Sequence, residues 1–198
     1  TGTKGKYLYV NNGMPNYNAG TINLDNELNL NGSDFYNCGT VNVDKLRNTS
    51  GGRLTNFGSI TARCNEGAAD AYNCIVVNGC YMHYTEEAGI GLLTMLNNSR
   101  LDIDGKAEFT QSWSQADVDT SNPSNVKNLT VNEPNILMDK SVVNVGTAYF
   151  TNSAFEGPSN DNEYAILKMQ KVEVGNGTDL IQRGNCILDW NITELYNK

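Results

Sequence analysis

The chain has 198 residues, 22 of them acidic and 14 basic, which gives a formal charge of −8 and a pI near 4.6. Nucleic-acid affinity depends largely on Lys and Arg that neutralise phosphates, so this charge excludes DNA and RNA as partners. Asn is the commonest residue and Gly is abundant, while only 18% of residues are charged. This composition favours turns and short strands over long helices. No apolar run approaches the roughly 18 residues of a membrane span, so we expect none in this chain.

A repeat in the first third of the chain predicts the fold. The pattern Asn-x-Gly followed by alternating apolar residues begins at Asn18, Asn37 and Asn56, so its period is 19 residues. A fixed period near 20 is too short for a helical hairpin and suits one coil of a β-solenoid or a leucine-rich repeat, whose Leu lattice is absent here. Period-two alternation within each unit is typical of strands with one buried face. We therefore predict one all-β solenoid domain over residues 1–198, with coils of ~19–21 residues.

The repeated Asn and Gly residues have two interpretations. Asn18, Asn37 and Asn56 could stack as a ladder of side-chain amides along the solenoid axis. Alternatively, each could occupy a left-handed turn position beside its glycine. Gly20, Gly39 and Gly58 would mark corners that need either a positive φ or a close approach of two backbones. Both interpretations make these residues structural rather than ligand-binding.

The five cysteines show no C-x-x-C spacing and cannot all pair within one chain. Three of them follow an Asn at a position that holds Ala19 in the first repeat, which predicts buried thiols that act as small hydrophobic residues. These three are Cys38, Cys74 and Cys186. A disulfide between Cys64 and either Cys74 or Cys80 is the alternative that the spacing leaves open.

Beyond residue 62 the repeat is weaker but continues. Residues 99–109 resemble residues 141–150 at an offset of 42, about two coils. Further strands are predicted at 128–131, 136–138, 165–169, 172–174 and 186–190. Two segments depart from the pattern: we predict a loop and then a strand over 86–96, and a protruding polar loop over 111–125. Because protruding loops often carry function, Trp113, Asp117 and Asp119 are the candidate ligand-binding residues.

Few residues suggest chemistry. His83, the one histidine, lies in a strand-like run and is assigned a packing or surface role. Asp102, Asp104 and Glu108 alternate with apolar residues and should share an outward face with Arg100 and Lys106. That face could be a carbohydrate-processing acid cluster, a calcium face, or a solvated strand face of mixed charge. Asp161-Asn162-Glu163 is rich in oxygen ligands but lacks EF-hand spacing, so neither a metal nor a cofactor is predicted.

Five segments carry a resemblance to a known family. They are NAGTINLDNELNLNGSDFYNCGTVNVDKL, RLTNFGSITA, NCIVVNGCYMHY, LTMLNNSRLDIDGKAEF and DKSVVNVGTAYF. The pattern resembles the region within or preceding LruC-domain proteins of Bacteroidetes, over about residues 16–175. The resemblance implies a right-handed single-stranded parallel β-helix on an exported, often lipid-anchored surface protein that takes part in cell adhesion. It implies no catalytic residue.

These observations support three functional hypotheses. The first is a non-catalytic adhesion module of the cell surface, part of a longer exported protein, that binds a glycan or a protein partner. The second is a carbohydrate-active enzyme, a polysaccharide lyase or hydrolase on a pectate-lyase-like β-helix, with Arg100, Asp102, Asp104 and Lys106 as its candidate residues. The third is a passive spacer that projects another domain.

Overall fold

The computed structural model is all-β. It describes residues 5–11, 14–47, 52–65, 75–96, 98–115, 123–131, 135–138, 142–150, 153–159, 164–175, 180–190 and 195–197. The strands are β1 (Gly5–Tyr9), β2 (Asn16–Asn18), β3 (Thr21–Asn29), β4 (Asp34–Asn37), β5 (Thr40–Arg47), β6 (Arg53–Asn56), β7 (Ser59–Asn65), β8 (Ile75–Asn78), β9 (Tyr81–Met95), β10 (Arg100–Gln115), β11 (Ser124–Val131), β12 (Asn135–Met138), β13 (Val142–Phe150), β14 (Ser153–Glu156), β15 (Ala165–Val174), β16 (Leu180–Arg183), β17 (Cys186–Trp190) and β18 (Leu195–Asn197). The described residues contain no helix, and hence none long and apolar enough to cross a bilayer.

The strands stack in parallel as two ladders, with each coil contributing one step to each ladder. The long ladder runs β1-β3-β5-β7-β9-β10-β11-β13-β15-β17. The short ladder runs β2-β4-β6-β8, continues through the ends of β9 and β10, and finishes with β12-β14-β16. Parallel pairing of successive coils is the defining feature of a β-solenoid, so the predicted fold class is confirmed.

The core lies between the two ladders. Along each strand alternate residues face inward, and the inward residues of successive coils stack in register. Val41, Ile60, Met82 and Leu101 form one such row, each at most 1% exposed. Residues of both ladders belong to a single hydrophobic cluster. Full burial of a side chain of this size contributes ~1.5–3 kcal/mol, so the stacked rows are the main source of stability.

The 19-residue period persists beyond the first three coils. Tyr81 pairs with Arg100, and Asn125 with Asn144, each 19 positions later. Longer coils lie between these regular steps, with 22 residues from Asn56 to Asn78 and 23 from Asp102 to Asn125. Ile103 and Val145 each pair with Val126, so residues 99–109 and 141–150 lie two coils apart, as predicted.

The loop predicted at the start of 86–96 is a strand, as are residues 111–115 of the loop predicted over 111–125, whereas the strand predicted at the end of 86–96 is confirmed. Residues 86–95 belong to β9, and residues 111–115 belong to β10. Both segments hydrogen-bond to a neighbouring coil on each side, through β7, β8 and β10 for β9 and through β9 and β12 for the end of β10. Pairing on both edges satisfies the backbone of these segments, and this tertiary effect overrides the local preference of their Gly and polar residues.

The prediction for the cysteines was partly wrong. Cys38 is exposed at a corner, whereas Cys186 is buried as expected, and burial raises its pKa to about 11. Cys64 and Cys80 are both free thiols, so the pairing of Cys64 with Cys80 or Cys74 is not formed. Cys74 itself lies outside the described residues.

Candidate functional site

A buried row of asparagines stacks along one corner of the solenoid. The Nδ2 of Asn18 donates to Oδ1 of Asn37 at 2.8 Å, Asn37 donates to Asn56 at 2.8 Å, and Asn56 donates to Asn78 at 2.9 Å. Each Oδ1 also accepts the backbone N–H two residues on, and the last three asparagines are 0% exposed. The ladder of Asn18, Asn37 and Asn56 is therefore confirmed, and Asn78 extends it by one coil. These amides are committed to the fold.

Gly39 and Gly58 serve close backbone approach, whereas Gly20 does not, because no atom in the part of the chain that the structure describes lies within 4 Å of a Cβ added there. Among the described residues a positive φ occurs only at Asn98, Gly32 and Gly184, so the left-handed alternative for the asparagines of the repeat is wrong. A Cβ added at Gly39 would lie 2.0 Å from the carbonyl oxygen of Gly20, and one at Gly58 would lie 2.1 Å from that of Gly39. Only a residue without a Cβ permits this separation of successive coils.

A polar groove lies on the outward face of the long ladder. Its volume is about 1060 Å³, and its walls come from β9, β10, β11, β13, β15 and β17. Outward side chains that line it are Tyr81, His83, Arg100, Asp102, Asp104, Asn125, Lys127, Asn144, Lys168, Gln170 and Asp189. The strand pairing brings these residues together although the first and the last of them, Tyr81 and Asp189, are more than 100 residues apart in the sequence. The groove is therefore a product of coil stacking and not of any one segment.

Asp102 forms the floor of the groove at its β10 end. Its Oδ1 accepts from Arg100 Nε at 3.0 Å and Asn125 Nδ2 at 2.9 Å, while its Oδ2 accepts from Arg100 Nη2 at 2.7 Å and Tyr81 Oη at 3.1 Å. Burial raises the pKa of this carboxyl, but the hydrogen bonds from Arg100, Asn125 and Tyr81 outweigh it, so the pKa lies below its ordinary value. A carboxylate offers about four lone-pair sites, and here the protein fills all four.

The other charged groups at this end are arranged differently. His83 Nε2 lies 2.8 Å from Asp104 Oδ2, and the Asp104 side chain is 60% exposed. Lys106, the remaining candidate for a catalytic face, pairs with Glu108 at 3.2 Å and does not line the groove. The four residues Arg100, Asp102, Asp104 and Lys106 therefore do not converge on one point. The described residues include no group of three His, Cys, Asp or Glu side chains that could hold a metal ion.

A glycine on β13, the fourth of the six strands, shapes the groove beyond Asp102. Gly146 of β13 lines the groove, and a Cβ there would lie 2.5 Å from the backbone oxygen of Lys127 on the neighbouring coil. Asn144, two residues earlier on the same strand, donates from Nδ2 to Oδ1 of Asn125 at 3.0 Å. On the next coil Lys168 is in register with Asn144, and on the coil after that Asp189 is in register with Lys168. Polar side chains, including that of Asn144 on β13 itself, thus surround a notch at Gly146, which has no side chain to fill it.

The ligand-binding residues proposed from sequence lie elsewhere. Trp113 is in β10, where it is in register with Leu93 and Ile136, and so it is not in a protruding loop. Asp117 and Asp119 lie outside the described residues, as do residues 161–163. Sequence reasoning identified Arg100, Asp102 and Asp104 as one face but missed Lys127, Asn144, Lys168 and Gln170. The alternation of these four with buried residues was a usable signal, but it did not reveal which strands are neighbours.

No family model, curated protein or solved structure matches the chain. The resemblance to LruC-domain proteins therefore stays a prediction, and the groove has to be interpreted from its own residues.

Proposed function

We propose that the chain is a non-catalytic binding module that holds a glycan along the groove on its flank. Adhesion at an outer cell surface is the biological setting, which the proposal takes from the resemblance to LruC-domain proteins. The observation that carries the proposal is the groove itself, an open groove over six strands whose outward side chains include amides, carboxylates and ammonium groups.

The lining favours a glycan over a protein partner. Protein interfaces have apolar cores enriched in aromatic residues and depleted of charge. The groove instead presents Asn144, Lys168, Gln170 and Asp189, whose polar ends can donate to and accept from the adjacent hydroxyls of a sugar ring. A volume of about 1060 Å³ exceeds that of most sites for small molecules, which suits several linked sugar units.

The state of Asp102 favours binding over catalysis. A general acid or base must reach the proton that it transfers, and a carboxyl nucleophile needs a free lone pair. The oxygens of Asp102 already accept four hydrogen bonds from Arg100, Asn125 and Tyr81. Its carboxylate therefore positions the neighbouring strands, and of the two groove carboxylates on β10 only Asp104, beside His83, remains exposed.

A glycan screen with matched variants tests the proposal. The purified chain is applied to polysaccharides and oligosaccharides, and each mixture is analysed for bound glycan and for new chain ends. We expect retention without cleavage, and we expect Asn144→Ala to weaken retention. Asn42→Ala is the control, because Asn42 lies on the same outward face and bonds Asn23 at 2.8 Å but lies outside the groove.

Two results would overturn the proposal. Cleavage that is abolished by Asp104→Asn would establish an enzyme. Failure of every glycan to bind, or equal loss of binding in both Asn variants, would remove the groove as a glycan site and favour the protein-partner or spacer hypothesis.

A further inference from the structure

Two lysines in the groove have no partner among the residues that the structure describes, although the chain is acidic. Several other described cations are paired: Arg63 with Asp44, Arg100 with Asp102, and Lys171 with Glu173. Lys127 and Lys168 are exposed, line the groove, and make no ion pair or hydrogen bond within the described part of the chain. Asp189 is in register with Lys168 but forms no salt bridge with it. Two ammonium groups are thus available to a ligand.

The stacking of the coils places both lysines beside the same notch. Lys127 is on β11 and Lys168 is on β15, with β13 between them. Adjacent strands lie ~4.8 Å apart, so the two backbones are roughly 10 Å apart, and a lysine side chain spans more than half of that distance. Between them Gly146 contributes no side chain, and the close carbonyl of Lys127 excludes any larger residue at that position. Both ammonium groups can therefore reach a ligand atom above β13.

Amides complete the notch. Asn144 uses one Nδ2 hydrogen on Asn125, which leaves its Oδ1 and its second hydrogen for a ligand. Gln170 is exposed on the C-terminal side of the notch. Two cations with neighbouring amides can recognise an anion that is flanked by hydroxyls, because charge-assisted hydrogen bonds take the anion and the amides take the hydroxyls.

We propose that this notch is an anion subsite of the groove, which binds the carboxylate or sulfate of an acidic polysaccharide between Lys127 and Lys168. The proposal rests on the proposed glycan-binding function and adds the class of sugar. The overall charge of −8 repels polyanions in general, so non-specific attraction by the whole chain would not explain the binding of an acidic glycan. A preference for an acidic glycan would therefore indicate binding at the notch between Lys127 and Lys168.

The test compares acidic glycans with neutral counterparts of the same backbone. Polygalacturonate is paired with its methyl ester, and dextran sulfate is paired with dextran, so that the two arms separate carboxylate from sulfate. We expect at least one acidic form to bind more tightly than its neutral counterpart. Lys127→Gln and Lys168→Gln should each weaken the acidic form by about tenfold or more, as expected for a hydrogen bond to a charged group, and leave neutral glycans unaffected.

Lys106→Gln is the matched control. Lys106 is on the same ladder and is 57% exposed, but it pairs with Glu108 and does not line the groove. Its removal should leave every affinity unchanged, and circular dichroism checks that all three variants keep the fold.

The outcomes separate the two proposals. Equal binding of acidic and neutral forms, or equal losses in Lys106→Gln and the notch variants, would overturn the anion subsite and leave glycan binding intact. Absence of binding to all four polymers and to the wider glycan screen would overturn both.

Discussion

Two rows of stacked polar side chains run along this solenoid, and they differ in how many of their hydrogen-bonding groups remain available to a ligand. In the corner row, from Asn18 to Asn78, each amide bonds the next coil and its own turn, and three of the four residues are fully buried. In the outer row, Asn144 donates to Asn125, and Asn125 donates to Asp102, but the row opens onto the groove. The same chemistry is structural where it is enclosed and available for binding where one side faces solvent.

The largest effect should come from the glycines that let the corner row stack. Gly39→Ala puts a Cβ about 2.0 Å from the carbonyl oxygen of Gly20, a backbone atom that cannot move alone. We expect a loss of at least about 4 kcal/mol in the free energy of unfolding, measured by urea denaturation. Gly20→Ala is the control, because no described residue lies within 4 Å of its added Cβ, and it should change stability by about 1 kcal/mol or less. Equal losses would contradict the role of close approach.

The second comparison sets a buried amide against an exposed one. Asn37→Ala removes the oxygen that accepts from Asn18 and from the Gly39 N–H, and it removes the amide that donates to Asn56. Unsatisfied buried groups are costly, so we expect a loss of about 2–4 kcal/mol by urea denaturation. Asn42→Ala removes the exposed bond to Asn23 and should cost about 0.5 kcal/mol or less. A similar cost at both sites would mean that burial does not distinguish the two rows.

A smaller effect is expected at the floor of the groove, and it depends on pH. Asp102→Asn weakens the pairing with Arg100, a partly exposed group, so we expect a loss of about 1–2 kcal/mol at pH 7. The folded-state pKa of Asp102 is lowered from 3.8, so its carboxylate stabilises the fold fully above that value. This contribution is lost as the pH falls through the lower folded-state pKa.

Unfolding measured at several pH values checks this sign. The stability difference between the wild type and Asp102→Asn should be constant from pH 7 to about pH 5 and should shrink below about pH 3.8. A difference that grows in acid would show that the carboxylate is destabilised in the fold. Asp104→Asn, at an exposed carboxylate beside His83, is expected to change stability by about 0.5 kcal/mol or less.

Much of the fold was predictable from local pattern. The 19-residue spacing of Asn18, Asn37 and Asn56 predicted the coil, and the alternation of residues such as Val41 and Val43 predicted which strand face is buried. Both signals are visible because each coil faces the same environment as the one before it, so stacking selects the same residue types at the same positions. The ladder prediction followed from the same repetition.

Local pattern did not predict strands where the hydrogen bonds of neighbouring coils outweigh the weak strand preference of the segment. Gly89 and Gly91 predicted a loop in the first part of 86–96, and residues 111–115 are mostly polar, yet both segments are strands because each is hydrogen-bonded on two sides. The exposure of Cys38 was missed for a related reason, since its position in the repeat was matched to apolar residues without knowledge that the corner faces solvent.

The sequence by itself therefore determined the solenoid, its period and most of the residues committed to stacking, because these follow from a spacing that repeats from one coil to the next. Only the tertiary structure decided the groove, because coils of 19, 22 and 23 residues set which side chains become neighbours. Tyr81, Asp102, Asn144 and Lys168 meet on one face through the register of the strands. That register is fixed by the summed packing and hydrogen bonding of every coil, which no short stretch of sequence contains.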